Sequence, residues 1–430
     1  MKVVAFLPAK GTSSRIESKN LKLMDGKPLF LHTLEKLMEC DFIDEIYLDT
    51  ESDEVIDLAS ETNCKILKRD PNLASNKTDG NKLFFNEVNF VDADIYIQIL
   101  STSPFIEKDT IKKGVDAIKN DGFDSAVLIR KERLYTWNND GPNYDIENIP
   151  NSIDLDDTII ETMGLYIVKR DSALSTQKRI GNKPYLLHAT SLEAIDVNWQ
   201  EDFDLANLIA KGKRENERKL LNNIKSHLTS AVLSDIMDEF GLDCVLSGFK
   251  LNIPQKKVLG KAKTLKIRAL EDGEDYKGIY NALNTYKTII PNDIIIVENE
   301  ISDYAYFGEL NANLAIRSGA SAAIIGGVTR DTAEVEKLGF PVFSKGSNCK
   351  DVRKRATMES YNKTIELGGI KVSPNDLIFG DNDGIIIIPK KHELKILKRV
   401  FEVIKTENNI LVDIASGIDL DRLTKEHGFF

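Results

Sequence analysis

Apolar residues in this chain fall into short runs separated by polar or helix-spaced stretches, and the rhythm begins at once. VVAFLP (3–8) reads as a buried strand, LFLHTLEKLMEC (29–40) places its apolar positions at helical spacing, and EIYLDT (45–50) is a strand again. DEVIDLASET and KILKRD repeat helix and strand, and DIYIQIL (94–100) is another buried strand. This alternation predicts an α/β fold: a parallel sheet with helices on both faces and ligands at the carboxyl ends of the strands.

The pattern changes in DLANLIAKGKRENERKLLNNIKSHL (204–228), where KGKRENERK is charged and lacks apolar periodicity. A first domain over 1–212, a helical or flexible linker over 213–219 and a second domain over 220–430 with a helical C-terminal tail are expected. Beyond the linker come KVLGKAKTLKI, DIIIVEN, AAIIGGV, FPVFS and GIIIIP, short strand-like runs set between turn residues and helical stretches. They predict a second α/β domain, richer in strands. At 430 residues the chain exceeds what one core usually supports, which agrees with two domains.

A formal charge of −11 argues against general nucleic-acid binding, although a local basic pocket for a phosphate survives any net charge. Cys40, Cys64, Cys244 and Cys349 show no Cys-x-x-Cys spacing, and His32, His188, His227, His392 and His427 no paired metal spacing. The opening run is too short for a signal peptide and no later run approaches a membrane-spanning length. A cytoplasmic protein with no membrane partner is expected.

Directly after the first strand lies PAKGTSSRIESKN (8–20), a glycine, hydroxyl residues and three cations where backbone amides can cradle an anion. It is not a Walker A loop and has no Gly-x-Gly-x-x-Gly; on its own it reads equally as a phosphate cradle or as a polar surface loop. Four segments in order, LPAKGTSSRIESKNLKLMDGKPLFLHTLEKL, QILSTSPFI, ETMGLYIV and IDVNWQEDFDLA, resemble the cytidylyltransferases that activate nonulosonic acids. The resemblance implies a Rossmann-like nucleotide-diphospho-sugar transferase fold. It implies that Lys10, Gly11, Ser13, Arg15 and Lys19 hold the CTP phosphates, with Leu7, Ala9 and Asn20 completing the pocket and Lys10, Arg15 and Lys19 serving catalysis. Gln98, Thr102 and Ser103 would place the nucleotide or a small acidic acceptor, a sugar acid. Asp196 and Asn198 would bind Mg2+; the family commonly has two aspartates there, so Asn198 removes one negative charge. Asn198 reads alternatively as a turn or N-cap residue, with Asp202 and Asp204 as helix-start carboxylates. Leu100 and Ser101 depart from the family's proline-containing pattern, and Ser14 stands where lysine is frequent.

In the second half, AAIIGGV ends in Thr329, Arg330 and Asp331, so both charged side chains leave the carboxyl edge of a strand. Gly308 and Glu309 begin a helix whose amides could receive a carboxylate that Arg330 clamps in bidentate fashion, with Asp331 holding a divalent ion. The dipeptide alone reads rather as a surface ion pair on a turn. Gly308-Glu309, twenty residues, Arg330-Asp331, two residues and Glu334 form a pattern that resembles the RraA-like family, which includes divalent-metal 4-hydroxy-4-methyl-2-oxoglutarate aldolases. LTSAVLSDIMDEFG, PVFSKG and GGIKVSPNDLIFGDNDGIIIIP extend the similarity over about 220–405. It implies a swivelling β/β/α-type domain acting on a 2-oxo acid. Arg330 would bind the carboxylate, Gly308, Glu309, Leu310 and Asn311 would complete its pocket, Asp331 would bind Mg2+ or Mn2+, and Glu334 would join the catalytic set. Asp381 and Asp383 in GDNDG read as a tight turn rather than metal ligands. The expectation is a bifunctional transferase and lyase forming a homo-oligomer, a trimer or hexamer. The competing readings are a transferase fused to a non-catalytic oligomerising or regulatory module, and a transferase for another acidic acceptor.

Overall fold

The computed structural model describes residues 1–75, 77–416, 418 and 420–427. The side chain of His427 and the last three residues lie outside the described set. Two compact units divide the chain, Met1–Lys211 and Gly212–Phe430. The segment 213–219 lies inside a continuous helix, Gln200–Lys225.

In the first unit the strands of the main sheet are β1 (Val3–Pro8), β2 (Glu45–Thr50), β3 (Lys65–Lys68), β4 (Ile95–Ile99), β5 (Ser125–Glu132), β6 (Thr158–Lys169) and β7 (Pro184–His188). Among the described residues they form one sheet in the order β7-β5-β6-β4-β1-β2-β3. The apolar runs dictate burial on both faces. Val3, Ala5 and Leu7 pack with Phe30, Leu34, Ile111 and Val115 of the helices Leu29–Met38 and Lys108–Asn120; Val4 and Phe6 pack with Phe84 and Val88 of Gly80–Phe90 on the other face. Each of these valine, leucine, isoleucine and phenylalanine side chains contributes roughly 1.5–3 kcal/mol relative to exposure.

The all-parallel expectation needs correction. β1 is parallel to β2 and β4, and β5 to β7, but β6 runs antiparallel to both β4 and β5. Alternation in a sequence reports which face a residue takes and is blind to strand direction, which here follows from the excursion over 133–157 that returns the chain from the far end. β6 carries a bulge between Glu161 and Tyr166, with Met163 left-handed at φ 59° and Gly164 so close to the Ser103 hydroxyl that a Cβ would collide with it.

In the second unit the strands are β8 (Val245–Leu246), β9 (Lys250–Leu251), β10 (Val258–Ala269), β11 (Ile294–Asn299), β12 (Ala322–Thr329), β13 (Val342–Ser347), β14 (Ala356–Tyr361), β15 (Leu377–Gly380) and β16 (Ile385–Ile388). Their order is β8-β16-β15-β10-β11-β12-β13-β9, with β14 pairing β10. The run β10 to β13 is parallel; β9, β14, β15 and β16 pair antiparallel with their neighbours. Helices Ser230–Glu239 and Glu393–Ala415 cover β15 and β16 through Leu233, Ile236, Met237, Ile396 and Val400. The parallel run matters most for chemistry, because it brings the ends of β12 and β13 to one edge. Among the described residues no helix is long and apolar enough to cross a membrane.

Candidate active sites

The loop after β1 is fixed from below. Ala9 N donates to Asp49 O (2.9 Å) and Gly11 N to Glu51 Oε1 (2.8 Å); a Cβ on Gly11 would stand 2.7 Å from that of Ser52. Lys10, Thr12, Ser13, Ser14, Arg15, Lys19 and Asn20 line a cavity of about 280 Å3. Leu7 and Ala9 are fully buried beneath it. Asn20 links two loops: its Nδ2 donates to Lys10 O (2.8 Å) and its Oδ1 accepts from Ser101 Oγ (2.7 Å). Arg15 lies over the Trp199 ring at 5.6 Å.

Burial first, and neighbouring cations second, work against the charge of the two lysines in this cavity. The Lys19 ammonium donates to Val197 O (2.8 Å), and burial lowers its pKa to about 8 against the opposing pull of Asp196. Burial also lowers Lys10, with Glu51 opposing and Arg69 and Arg15 adding to the fall. A bound polyphosphate would reverse both tendencies.

The acidic stretch beyond β7 meets this loop. Thr102 O accepts from Val197 N (2.8 Å), tying that stretch to the segment after β4. Asn198 Nδ2 donates to Asp196 Oδ2, while Asp202 Oδ2 accepts from the backbone of Asn198 (2.9 Å) and Trp199 (2.7 Å). Asp202 therefore serves the helix start, and the Asn198 side chain faces Asp196. One carboxylate and one amide oxygen are a thin but usable Mg2+ set when nucleotide phosphates supply further oxygens.

Ser103 is buried, and its hydroxyl has no hydrogen-bond partner among the described residues. Gln98 is fully buried and off the cavity wall, its Nε2 donating to Glu87 Oε2 (2.5 Å). Beside it Arg69 grips Asp49 twice, Nε to Oδ1 and the terminal nitrogen to Oδ2, both 2.9 Å. Sequence reasoning missed Asp49, Glu51, Arg69 and Glu87. The available signal was a charge closing the apolar strands EIYLDT and KILKRD.

Burial, then the neighbouring Asp49 charge, raises Glu87 well above the usual carboxylate range. The folded chain thus holds a proton that the unfolded chain releases above pH ~4.3. Stability of the first unit should fall by about 1.4 kcal/mol per pH unit from there until the folded pKa is reached. Glu87→Gln, which keeps an acceptor for Gln98, is expected to flatten this slope; urea titrations of the full chain between pH 5 and 7.5 measure it. Equal slopes in both proteins would place the proton elsewhere. His32 is also packed, its Nε2 within 2.8 Å of Met24 O and its pKa held down to about 3 by burial.

In the second unit, a bridge between Phe307 and Thr329 joins the Gly308 turn to the end of β12. Arg330 N donates to Phe307 O (3.0 Å). Asp331 is left-handed at φ 52°, and its Oδ2 accepts from Glu309 N (3.2 Å) at the start of helix Glu309–Ser318. Glycine is required at 308, where a Cβ would lie 2.5 Å from that oxygen and 3.0 Å from Arg330 Cγ. Helix geometry leaves the amides of Leu310 and Asn311 without intrahelical acceptors. Arg330 Nε is 3.7 Å from Asp331 Oδ2, and its NH1 pairs with Asp351 Oδ2 at 2.9 Å. Asp351 was not singled out from the sequence. Glu334 lies in the following short helix with Lys337 Nζ 3.8 Å away.

A cavity of about 360 Å3 opens beside this turn, bounded by Thr329, Arg330, Thr332, Phe307, Ser344, Ser347 and Lys250 among others. Asp381 accepts from Ser230 Oγ (2.7 Å) and N (2.9 Å) and from Asp383 N (3.0 Å), so the GDNDG segment is a braced turn. Among the described residues no cluster of three His, Cys, Asp or Glu forms a cation cage. Asp331 suits a divalent ion as a single protein oxygen donor completed by substrate and water.

Two family models match. Residues 4–203 match the Cytidylyltransferase family and residues 230–387 the Aldolase/RraA family. Protein DlpA of Legionella pneumophila is 24% identical over 46% of this chain and 32% of its own length. A putative 4-hydroxy-4-methyl-2-oxoglutarate aldolase of Halalkalibacterium halodurans is 27% identical over 40% of this chain and 78% of its own. The CMP-N,N'-diacetyllegionaminic acid synthase of Legionella pneumophila is 30% identical over 28% of this chain and 55% of its own. The matched region thus spans only about a third of DlpA and about half of the synthase. With its loop-and-cation cavity in one unit and its Arg-Asp turn in the other, the chain joins a region that matches the Cytidylyltransferase family model to one that matches the Aldolase/RraA family model.

Proposed function

We propose that the first domain transfers a cytidylyl group from CTP to a sugar acid of the nonulosonate type. The observation that carries this reading is the single cavity holding Lys10, Arg15 and Lys19 above a backbone loop fixed by Asp49 and Glu51. An acceptor hydroxyl forms a bond to the α-phosphorus of CTP and the bond to the bridging oxygen breaks. Pyrophosphate leaves, and the hydroxyl proton passes to solvent. Lys10, Arg15 and Lys19 offset the charge on the phosphoryl oxygens, so catalysis is mainly positioning and electrostatics. Asp196 and Asn198 would hold Mg2+, which when bound neutralises phosphate charge. The assay is pyrophosphate release from CTP against a panel of acidic sugars. Release with none of them, or a preference for another nucleotide, rejects the reading.

For the second domain we propose a divalent-metal lyase that cleaves the C3–C4 bond of a 2-oxo acid, the electron pair passing into the enolate of its keto group. The turn in which Glu309 N, Asp331 and Arg330 converge supports it. Arg330 and the amides of Leu310 and Asn311 hold the carboxylate. Asp331 would hold Mg2+ or Mn2+, which supplies Lewis-acid polarisation when bound. Oxaloacetate with either ion is the first substrate to try. No turnover of any 2-oxo acid would leave this domain an oligomerising or regulatory module, a role that a mass measurement of the assembly in solution would then address.

A further inference from the structure

The cavity at the end of β12 and β13 is larger than a three-carbon acid needs and is chemically uneven. At about 360 Å3 it falls in the range of pockets that enclose whole metabolites. One end is Arg330. The sheet gives the direction of the rest, because Thr329 pairs with Ser347 on β13 and Ser344 on β13 pairs with Lys250 on β9. Moving from Arg330 to Lys250 therefore crosses two strand spacings and runs three residues along β13, about 14 Å in all. Thr329, Ser344 and Ser347 line that path, the hydroxyls of Thr329 and Ser344 donating to Gly346 O (3.4 and 3.1 Å) with their lone pairs left to accept, and Glu336 is the one carboxylate among the described lining residues. Lys250 has no ion-pair partner among the described residues.

Each feature of this path selects something in a ligand. Serine and threonine hydroxyls donate and accept, matching the hydroxyls of a polyol better than a hydrocarbon tail. Glu336 adds an acceptor for a ligand hydroxyl. An ammonium ion at the far end from the guanidinium suits an electron-rich distal group. An extended chain advances roughly 1.2 Å per bond, so pyruvate placed on Arg330 stops far short of Lys250. A chain of about six carbons or more reaches the space that the lysine stem can cover.

We infer that the second domain takes an extended polyhydroxylated 2-oxo acid, its carboxylate at Arg330 and its hydroxylated tail lying along Thr329, Ser347 and Ser344 toward Lys250. This rests on the 2-oxo acid reading and goes beyond it by assigning the substrate class and the tail-binding residue. The cleaved substrate is then an acidic sugar derivative, and the reaction upstream of it is one that builds or dehydrates such a sugar acid.

The test is binding by the full-length protein with Mg2+, followed by ligand-observed saturation-transfer NMR, with pyruvate and 2-oxo-3-deoxygluconate as probes. Wild-type protein should bind the six-carbon acid about tenfold more tightly than pyruvate, and Lys250→Met should reduce that preference to near one. Lys250→Arg, which keeps a cation at the end of the path, should retain most of it and guards against a folding defect. A preference absent from the wild type, or undiminished in Lys250→Met, overturns the inference while leaving the lyase reading intact provided pyruvate binding needs Arg330. Pyruvate and the longer acid binding Arg330→Ala as they bind the wild type would instead remove the reading on which the inference stands.

Discussion

Arg330→Lys is expected to lower kcat/KM for oxaloacetate decarboxylation by ten- to a hundredfold, and Arg330→Ala by on the order of a thousandfold. A lysine preserves the charge and loses the planar fork that meets both carboxylate oxygens at once. Charge-assisted hydrogen bonds contribute about 1.5–3 kcal/mol each, and about 1.4 kcal/mol is one decade in rate. Arg330 is about a third exposed, at 35%, so the smaller figure applies to the lysine variant. The alanine change also leaves Asp351 and Asp331 without their cation. Pyruvate formation measures the effect, with cytidylyl transfer by the same polypeptide as the control for folding. A lysine variant with wild-type kcat/KM would reduce the pair to an ion pair on a turn.

Lys19→Met is expected to lower cytidylyl transfer by about a hundred- to a thousandfold, the usual consequence of deleting one preorganised charge-stabilising donor. It also removes the ammonium that ties the loop to Val197 O. The pH profile separates the electrostatic role from the structural one. Lys19 is charged below about pH 8 and loses its proton above it, so kcat/KM for CTP should fall up to tenfold per unit above about pH 8. Lys19→Arg should move that limb to higher pH. The stability effect has the opposite sign: the unfolded chain keeps this proton between about 8 and 10.4, so stability rises with pH through that window. Should wild type and Lys19→Arg share one alkaline limb, the titrating group is another residue.

Much of the fold was legible because continuous apolar runs such as VVAFLP and GIIIIP leave few options besides buried strands. What the sequence could not carry was direction and distance. β6 has the same apolar character whichever way it runs, and only the return path over 133–157 decides it. Arg69 and Asp49 are twenty residues apart, Gln98 and Glu87 eleven, and no local spacing announces either pair. Gln98 was therefore read as facing the ligand, whereas its amide is turned onto Glu87. The loop over 8–20 and the Gly308 to Asp331 spacing were readable because each is a backbone device: a glycine at a close approach followed by charges at a strand end.

Arg330 carries one positive charge between Asp331 and Asp351, so before a metal ion binds these three side chains sum to one minus two, or −1. An incoming acid anion is met by repulsion at long range and by hydrogen-bond donors only on contact. Entry is then an exchange of one carboxylate for another rather than capture by a bare cation. In the metal-free protein ionic strength, which screens the distant charges more than the close ones, should speed encounter here; a divalent ion at Asp331 would take the sum to +1 and reverse that effect.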